Sequence, residues 1–335
     1  MTHRIRLTSG AAAIAVIGLA AVTACSSTSS SSTSSSSPST AASSASASAT
    51  GSSSSSSASN PLSGGSSAGT VVIGSANFPE NEVLAEVYAL ALQAKGVKVS
   101  TKLNIGAREV YYPQAKSGAI DIVPEYNGNL LDVEADPKST AKTTAAVDAA
   151  LAANLPSTLT VLNPAPAQDS DSITVTAATA AKYHLKTIAD LAPYAKDFVL
   201  GGPPEFTTRT DGIAGLKANY GLTFKSFDPL DESGPITLAA LTSGKVQAAD
   251  VFTTTPQITS DHLVSLTDPK FNFAAQNVIP LVYKPVLTPT ISSTLNAVDA
   301  KLTTAALLAL DVQVITDKVN YTTAAQNWLT ANGLG

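Results

Sequence analysis

From Thr70 onward, short apolar runs alternate with longer segments whose apolar residues recur every three to four positions. Val71, Val72 and Ile73 form a run closed by Gly74 and Ser75. Residues 80–94 then place Val83, Leu84, Val87, Tyr88 and Ala91 on one helical face, with Pro79 suited to the first turn and Gly96 just past the end. Residues 97–103 alternate as a second strand, 108–116 predict a helix ending at Ser117 and Gly118, and 120–123 predict a third strand leading to Glu125 and Tyr126. The same order returns downstream: a strand at 198–200 closed by Gly201 and Gly202, a helix over 211–219, a strand at 222–227, a helix over 235–241, and a strand at 246–251 leading to Phe252.

The spacing repeats too. Gly74 to Ser117 spans 43 positions and Gly201 to Ser243 spans 42, while Ser117 to Tyr126 and Ser243 to Phe252 both span 9. This pattern predicts two α/β lobes with parallel crossovers and a cleft between them. Ligands in open α/β sheets sit beyond the carboxyl ends of strands, against helix N-termini. The first lobe would therefore offer Ser75, Ala76, Asn77 and Tyr126, and the second residues 202–206 and Phe252. Tyr126 and Phe252 read equally as core rings, where most aromatics lie.

The N-terminal quarter is of another kind. No charged residue occurs between Arg6 and Glu80. Arg4 and Arg6 precede an apolar stretch from Ala11 to Val22, too short to span a membrane comfortably as a permanent helix. It ends in Val22, Thr23, Ala24 and Cys25, which resembles a bacterial lipobox; the alternative is an ordinary secretory signal that leaves Cys25 as a free thiol or removes it. Apart from Asn60 and Leu62, residues 26–68 are Ser, Thr, Ala and Gly with two Pro, and no aromatic residue is among them. Such a composition lacks the apolar area to offset ordering entropy, so a disordered tether is expected. The domain plan is a lipoprotein signal at 1–24, lipidated Cys25 and tether at 25–69, and a globular body working outside the cytoplasm.

Composition excludes several functions. A single cysteine rules out an internal disulfide framework or a multi-thiolate zinc site. The net charge of −5, without a basic run, argues against nucleic acid as a partner. Beyond His3, the histidines are His184 and His262, without catalytic partner motifs; there is no phosphate loop, nucleophile elbow or metal-spaced cluster. The reading is therefore a non-enzyme with no cofactor and no metal.

Several motifs together resemble the osmoprotectant-binding lipoproteins of ABC importers, which serve glycine betaine, choline and carnitine. They are GSANFPE at 74–80, GAREVYYP at 106–113, KSGAIDIVPEYNGNLL at 116–131, PAPAQ at 164–168, PEFTTRTDG at 204–212, ADVFTT at 249–254 and WLTANGL at 328–334. The resemblance covers residues 70–335 in order. It implies an α/β type II periplasmic-binding fold: two lobes around a ligand cleft joined by two crossover segments. Lobe 1 would be discontinuous, 70–173 and 279–335, and lobe 2 would be 174–278, with crossings near 168–175 and 274–282 and the helical tail from Thr290 returning to lobe 1.

The implied function is capture of a quaternary ammonium or zwitterion by hinge closure and delivery to a permease, by a lipid-anchored monomer. Alternatives are a sensor or adhesion lipoprotein on the same fold, or a non-quaternary small polar or aromatic ligand bound by a sensor or importer subunit. A trimethylammonium donates no hydrogen bond and is held by ring faces, each worth ~0.5–2 kcal/mol, whereas a carboxylate suits Arg or backbone N–H groups. Tyr126 falls on the family's cage tyrosine and Arg209 on the arginine associated with the ligand carboxylate; a plain ion pair of Arg209 with Glu205 or Asp211 is the competing reading. Asn129, Asp169 and Asp171 fall near further polar contacts. The full candidate set is Ala76, Asn77, Phe78, Tyr126, Asn129, Asp169, Asp171, Thr208, Arg209, Phe252, Thr253 and Gln276. Three positions depart from the family: Ala76 where Lys is frequent, Phe252 where Tyr is common, and Gln276 where several members carry a cage tyrosine. Loss of one or two rings predicts weaker binding by about 1–4 kcal/mol unless Phe78, Tyr111 or Phe206 supplies another.

Overall fold

The computed structural model describes residues 69–335. The expected signal segment, Cys25 and the Ser-rich tether lie outside the described residues. In chain order the first elements are β1 (Thr70–Gly74), α1 (Pro79–Ala94), β2 (Lys98–Lys102), α2 (Arg108–Ser117) and β3 (Ile122–Tyr126). A short turn α3 (Asn127–Asn129) widens into a π-helical turn over Leu130–Ala135, followed by α4 (Thr144–Asn154) and β4 (Leu159–Val161). The second group is β5 (Ile173–Thr176), α5 (Ala177–Tyr183), β6 (Val199–Gly202), α6 (Ile213–Tyr220), β7 (Ser226–Pro229), α7 (Pro235–Thr242), β8 (Ala248–Asp250), α8 (Gln257–Ser260) and β9 (Leu263–Ser265). The chain closes with β10 (Val278–Tyr283), α9 (Pro289–Asp299), α10 (Thr304–Asp311) running into a π-helical turn at Val312–Thr316, and α11 (Tyr321–Ala331).

These strands make two five-stranded sheets with equivalent orders, β2-β1-β3-β10-β4 and β7-β6-β8-β5-β9. The expected parallel crossovers are present: β1 runs parallel to β2 and β3, and β6 parallel to β7 and β8. Each sheet also receives an antiparallel strand from beyond the connecting segments, β10 against β3 and β5 against β8. The two connections touch where Gln168 bridges Asn277, with Asp169 N–H donating to the Gln276 carbonyl at 3.1 Å and Val278 N–H to Ala167 at 3.1 Å.

Period-two alternation sorts the first sheet's side chains between two helical layers. Val278 and Val282 pack with α1, α9, α10 and α11, while Leu281 packs on the opposite face with Tyr111, Leu130 and Leu151. Between the sheet and the C-terminal helices, α1 is buried along most of its length, and its Tyr88 hydroxyl is satisfied by Asp299 at 2.8 Å. The second sheet is likewise covered on both faces. One boundary moves from the sequence expectation. Residues 222–224 terminate α6 rather than start a strand: Gly221 takes a left-handed conformation and Leu222 N–H returns to the Leu216 carbonyl, a helix-stop motif that uses the apolar residue as its clasp. The strand β7 therefore begins at Ser226.

Candidate functional site

The β3 and β8 ends face one another across the cleft, as the matched offsets implied. Tyr126 closes β3, Phe252 follows β8, and Phe78 sits between them at the N-cap of α1. The Phe78 ring centroid lies 6.1 Å from that of Tyr126 and 5.2 Å from that of Phe252, the latter pair edge-on. These rings line one small cavity with Ala76, Arg108, Tyr111, Asn129, Asp169, Asp171, Arg209 and Glu232. Eight of the twelve sequence-predicted residues thus converge. Phe78 stands in the position of an added ring and Tyr111 also lines the space, whereas Phe206 is buried in the second lobe beside Phe227 and Phe273.

Four predicted residues stand elsewhere. Asn77 is exposed, and Thr208 is exposed with its hydroxyl on the Glu205 carbonyl. The Thr253 hydroxyl, also on an exposed residue, accepts from Ser170 N–H and donates to Asp169. Gln276 is buried behind the cavity. Its amide clasps Asn129 from two directions, Asn129 N–H to Oε1 at 2.9 Å and Nε2 to Asn129 Oδ1 at 2.5 Å. Gly128 permits this approach, because a Cβ there would collide with the Ala275 carbonyl.

The cleft's electrostatics depend on who neutralises whom. Arg108 is buried and consumed within its own lobe, donating from Nε and Nη2 to the two oxygens of Glu125 at 3.0 Å each, with Tyr111 Oη donating to the same carboxylate at 2.7 Å. Arg209 pairs across the cleft with Glu109, Nε to Oε1 and Nη2 to Oε2 at 3.1 Å each; its partner is neither Glu205 nor Asp211. Burial alone would raise the Glu109 carboxyl, but the Arg209 hydrogen bonds and charge bring it below its ordinary value.

Both guanidiniums are thus engaged, and the acids outnumber them. Asn129 donates to Asp171, in the segment leading into β5, at 2.9 Å, and Thr254 N–H donates to Asp169 at 3.0 Å. Burial, then the proximity of Glu80, pushes Asp169 up. Burial also brings Glu232 and Asp211 to about 7 and Asp132 to about 6.

Behind the rings lies a group absent from the sequence expectations. Glu80, in the first turn of α1, accepts from the Tyr126 hydroxyl at 2.5 Å and from the Thr254 hydroxyl at 2.6 Å, so one carboxyl ties Tyr126 to the opposite lobe. Burial first, then Asp311, raises Glu80 well above the usual carboxylate range. Asp311, at the end of α10, is itself raised to about 8, chiefly by burial. Arg108, Tyr111 and Glu80 all lie inside the quoted motifs, which was their only sequence signal. Asp311 and Glu232 lie in none.

Three rings from both lobes, backed by carboxylates and lacking a free guanidinium, suit an organic cation that cannot donate a hydrogen bond. Among the described residues no group of three or more His, Cys, Asp or Glu is placed to hold a metal ion. His184 and His262 are exposed and line neither this cavity nor the larger one beside it.

Residues 69–331 match the family described as the substrate-binding domain of ABC-type glycine betaine transport systems. The chain is 27% identical over 280 residues to the glycine betaine-binding protein YehZ of Escherichia coli K12, covering 80% of this chain and 92% of that one. It is 25% identical over 269 residues to a glycine-betaine-binding protein of Pseudomonas aeruginosa PAO1, covering 75% and 84%. Among solved structures, one described as a glycine betaine/carnitine/choline ABC transporter superposes with a TM-score of 0.63 at 22% identity, over 79% of this chain and 99% of that chain.

Proposed function

The chain belongs to the family of substrate-binding domains of ABC-type glycine betaine transport systems, and from that premise we propose that its cleft captures a quaternary ammonium between Phe78, Tyr126 and Phe252. Substrate-binding domains of ABC importers work outside the cytoplasm, binding a small ligand and handing it to permease components. The ring cluster, contributed by both lobes, is the observation that carries the ligand assignment. A cation in the cavity these rings line gains ~0.5–2 kcal/mol from each ring face it meets.

Within the group of glycine betaine, carnitine and choline, the engaged arginines favour choline. Arg108 is bound by Glu125 and Arg209 by Glu109, so a ligand carboxylate competes with Glu109 for Arg209 and also faces Asp169, Asp171 and Glu232. Choline brings no carboxylate. The protein binds and releases this ligand unchanged, as a monomer held at the membrane by acylated Cys25, and the lobes close about the paired connections near Gln168 and Asn277.

Equilibrium dialysis with labelled choline, glycine betaine and carnitine tests this, followed by analysis of the recovered ligand. Saturable binding, choline tightest, with chemically intact ligand recovered, is the expected result. Absence of binding to all three, or conversion of any of them, would overturn it.

A further inference from the structure

On the side of the cleft walled by α7 and by the turn after α10 lies a second, larger cavity of about 540 Å3. It shares Phe78, Phe252 and Glu232 with the ring-lined space, so the two meet at the rings. Its walls are apolar on opposite sides, with Leu238 and Ala239 on α7 facing Val314 and Ile315. Glu232, Gln257, Asp261, Asp311 and Lys318 also line it, with carboxylates outnumbering the one ammonium. A compact cation at the rings would leave this space unfilled.

We infer that this cavity is a second subsite of the cleft, taking an apolar arm on the quaternary nitrogen. The preferred ligands are then quaternary amines bearing an aryl or branched aliphatic substituent, beyond the methylated ion alone. A volume of several hundred Å3 with apolar walls and a few convergent polar atoms is the usual form of a small-molecule site. The inference rests on the ring cluster holding the ammonium.

Calorimetric titration with tetramethylammonium and benzyltrimethylammonium provides the test. The benzyl ion is expected to bind about tenfold tighter than tetramethylammonium, the gain from burying one ring. Ala239→Trp and Ile315→Trp fill the cavity from opposite walls. Each, once shown to melt as the parent does, should abolish the benzyl gain while leaving tetramethylammonium binding within about twofold. Equal or weaker binding of the benzyl ion, or a gain that survives both substitutions, would overturn the second subsite alone. Failure of tetramethylammonium as well would remove the ring-cluster reading and the subsite with it, since that ion needs only the rings.

Discussion

The guanidinium of Arg209 crosses the cleft and takes both carboxylate oxygens of Glu109, 100 residues away in the chain. The fork geometry makes this a strong pairing, and it fixes two properties at once. It holds the lobes together, and it occupies the cation that a zwitterionic ligand would want.

Glu109→Gln separates these roles. Freed from its carboxylate, Arg209 becomes available to a ligand carboxylate, so the ratio of glycine betaine to choline affinity should rise by about tenfold, the worth of one charge-assisted hydrogen bond. The loss of the latch should also enlarge the radius of gyration without ligand, read by small-angle scattering. Parallel weakening of both ligands, with an unchanged ratio, would mean that Arg209 does not face the ligand.

Tyr126 separates ring from hydroxyl. Tyr126→Ala should weaken choline binding by roughly 3- to 30-fold, one cation–π contact. Tyr126→Phe keeps the ring, so affinity should stay within about threefold. It takes a donor from buried Glu80 and should lower unfolding free energy by about 1–2 kcal/mol, measured by denaturant titration. Equal losses of affinity in the two variants would contradict a ring-face role.

The buried acids set a pH dependence with a definite sign. Carboxyls in the unfolded chain titrate near about pH 4, whereas Asp211 and Glu232 hold their protons to about 7 and Asp311 to about 8. Between those limits the folded state binds more protons, so stability should fall as pH rises. Thermal unfolding without ligand should show a higher Tm at pH 5 than at pH 8, with a smaller difference in Asp311→Asn. The Glu109 pair acts oppositely, because its lowered carboxyl loses its contribution only as pH falls below about 4.

Gln276 stands where relatives' resemblance suggested a ring, and its surroundings explain the difference. It is 1% exposed, locked on Asn129 and pressed against Gly128. Gln276→Tyr should therefore destabilise the fold by about 1–3 kcal/mol through overpacking without tightening choline binding. A tighter complex with unchanged Tm would show that the site accommodates the ring.

How much was legible in the sequence follows from the range of each interaction. Local periodicity and the repeated spacing were enough to predict both sheets' parallel halves and to put Tyr126 opposite Phe252, because those features are written within about 60 consecutive residues of each lobe. Of the three rings the sequence offered as replacements, Phe78 and Tyr111 line the cavity and Phe206 packs in the second lobe's core, a distinction set by tertiary packing. The pairing of Arg209 with Glu109, the contact of Glu80 with Thr254 and the approach of Asp311 to Glu80 join residues far apart in the chain. No periodicity signals such meetings. The start of β7 shifted because a left-handed glycine turned apolar residues 222–224 into a helix stop.

The most direct test of the account compares choline with its uncharged carbon isostere, 3,3-dimethylbutan-1-ol, by calorimetry on the same protein. The shapes match and only the charge differs. A cage of ring faces backed by carboxylates predicts saturable choline binding, an isostere at least about tenfold weaker, and loss of that discrimination in Tyr126→Ala. Equal affinity for the two compounds would contradict it, since the cleft would then be reading shape and apolar area rather than positive charge.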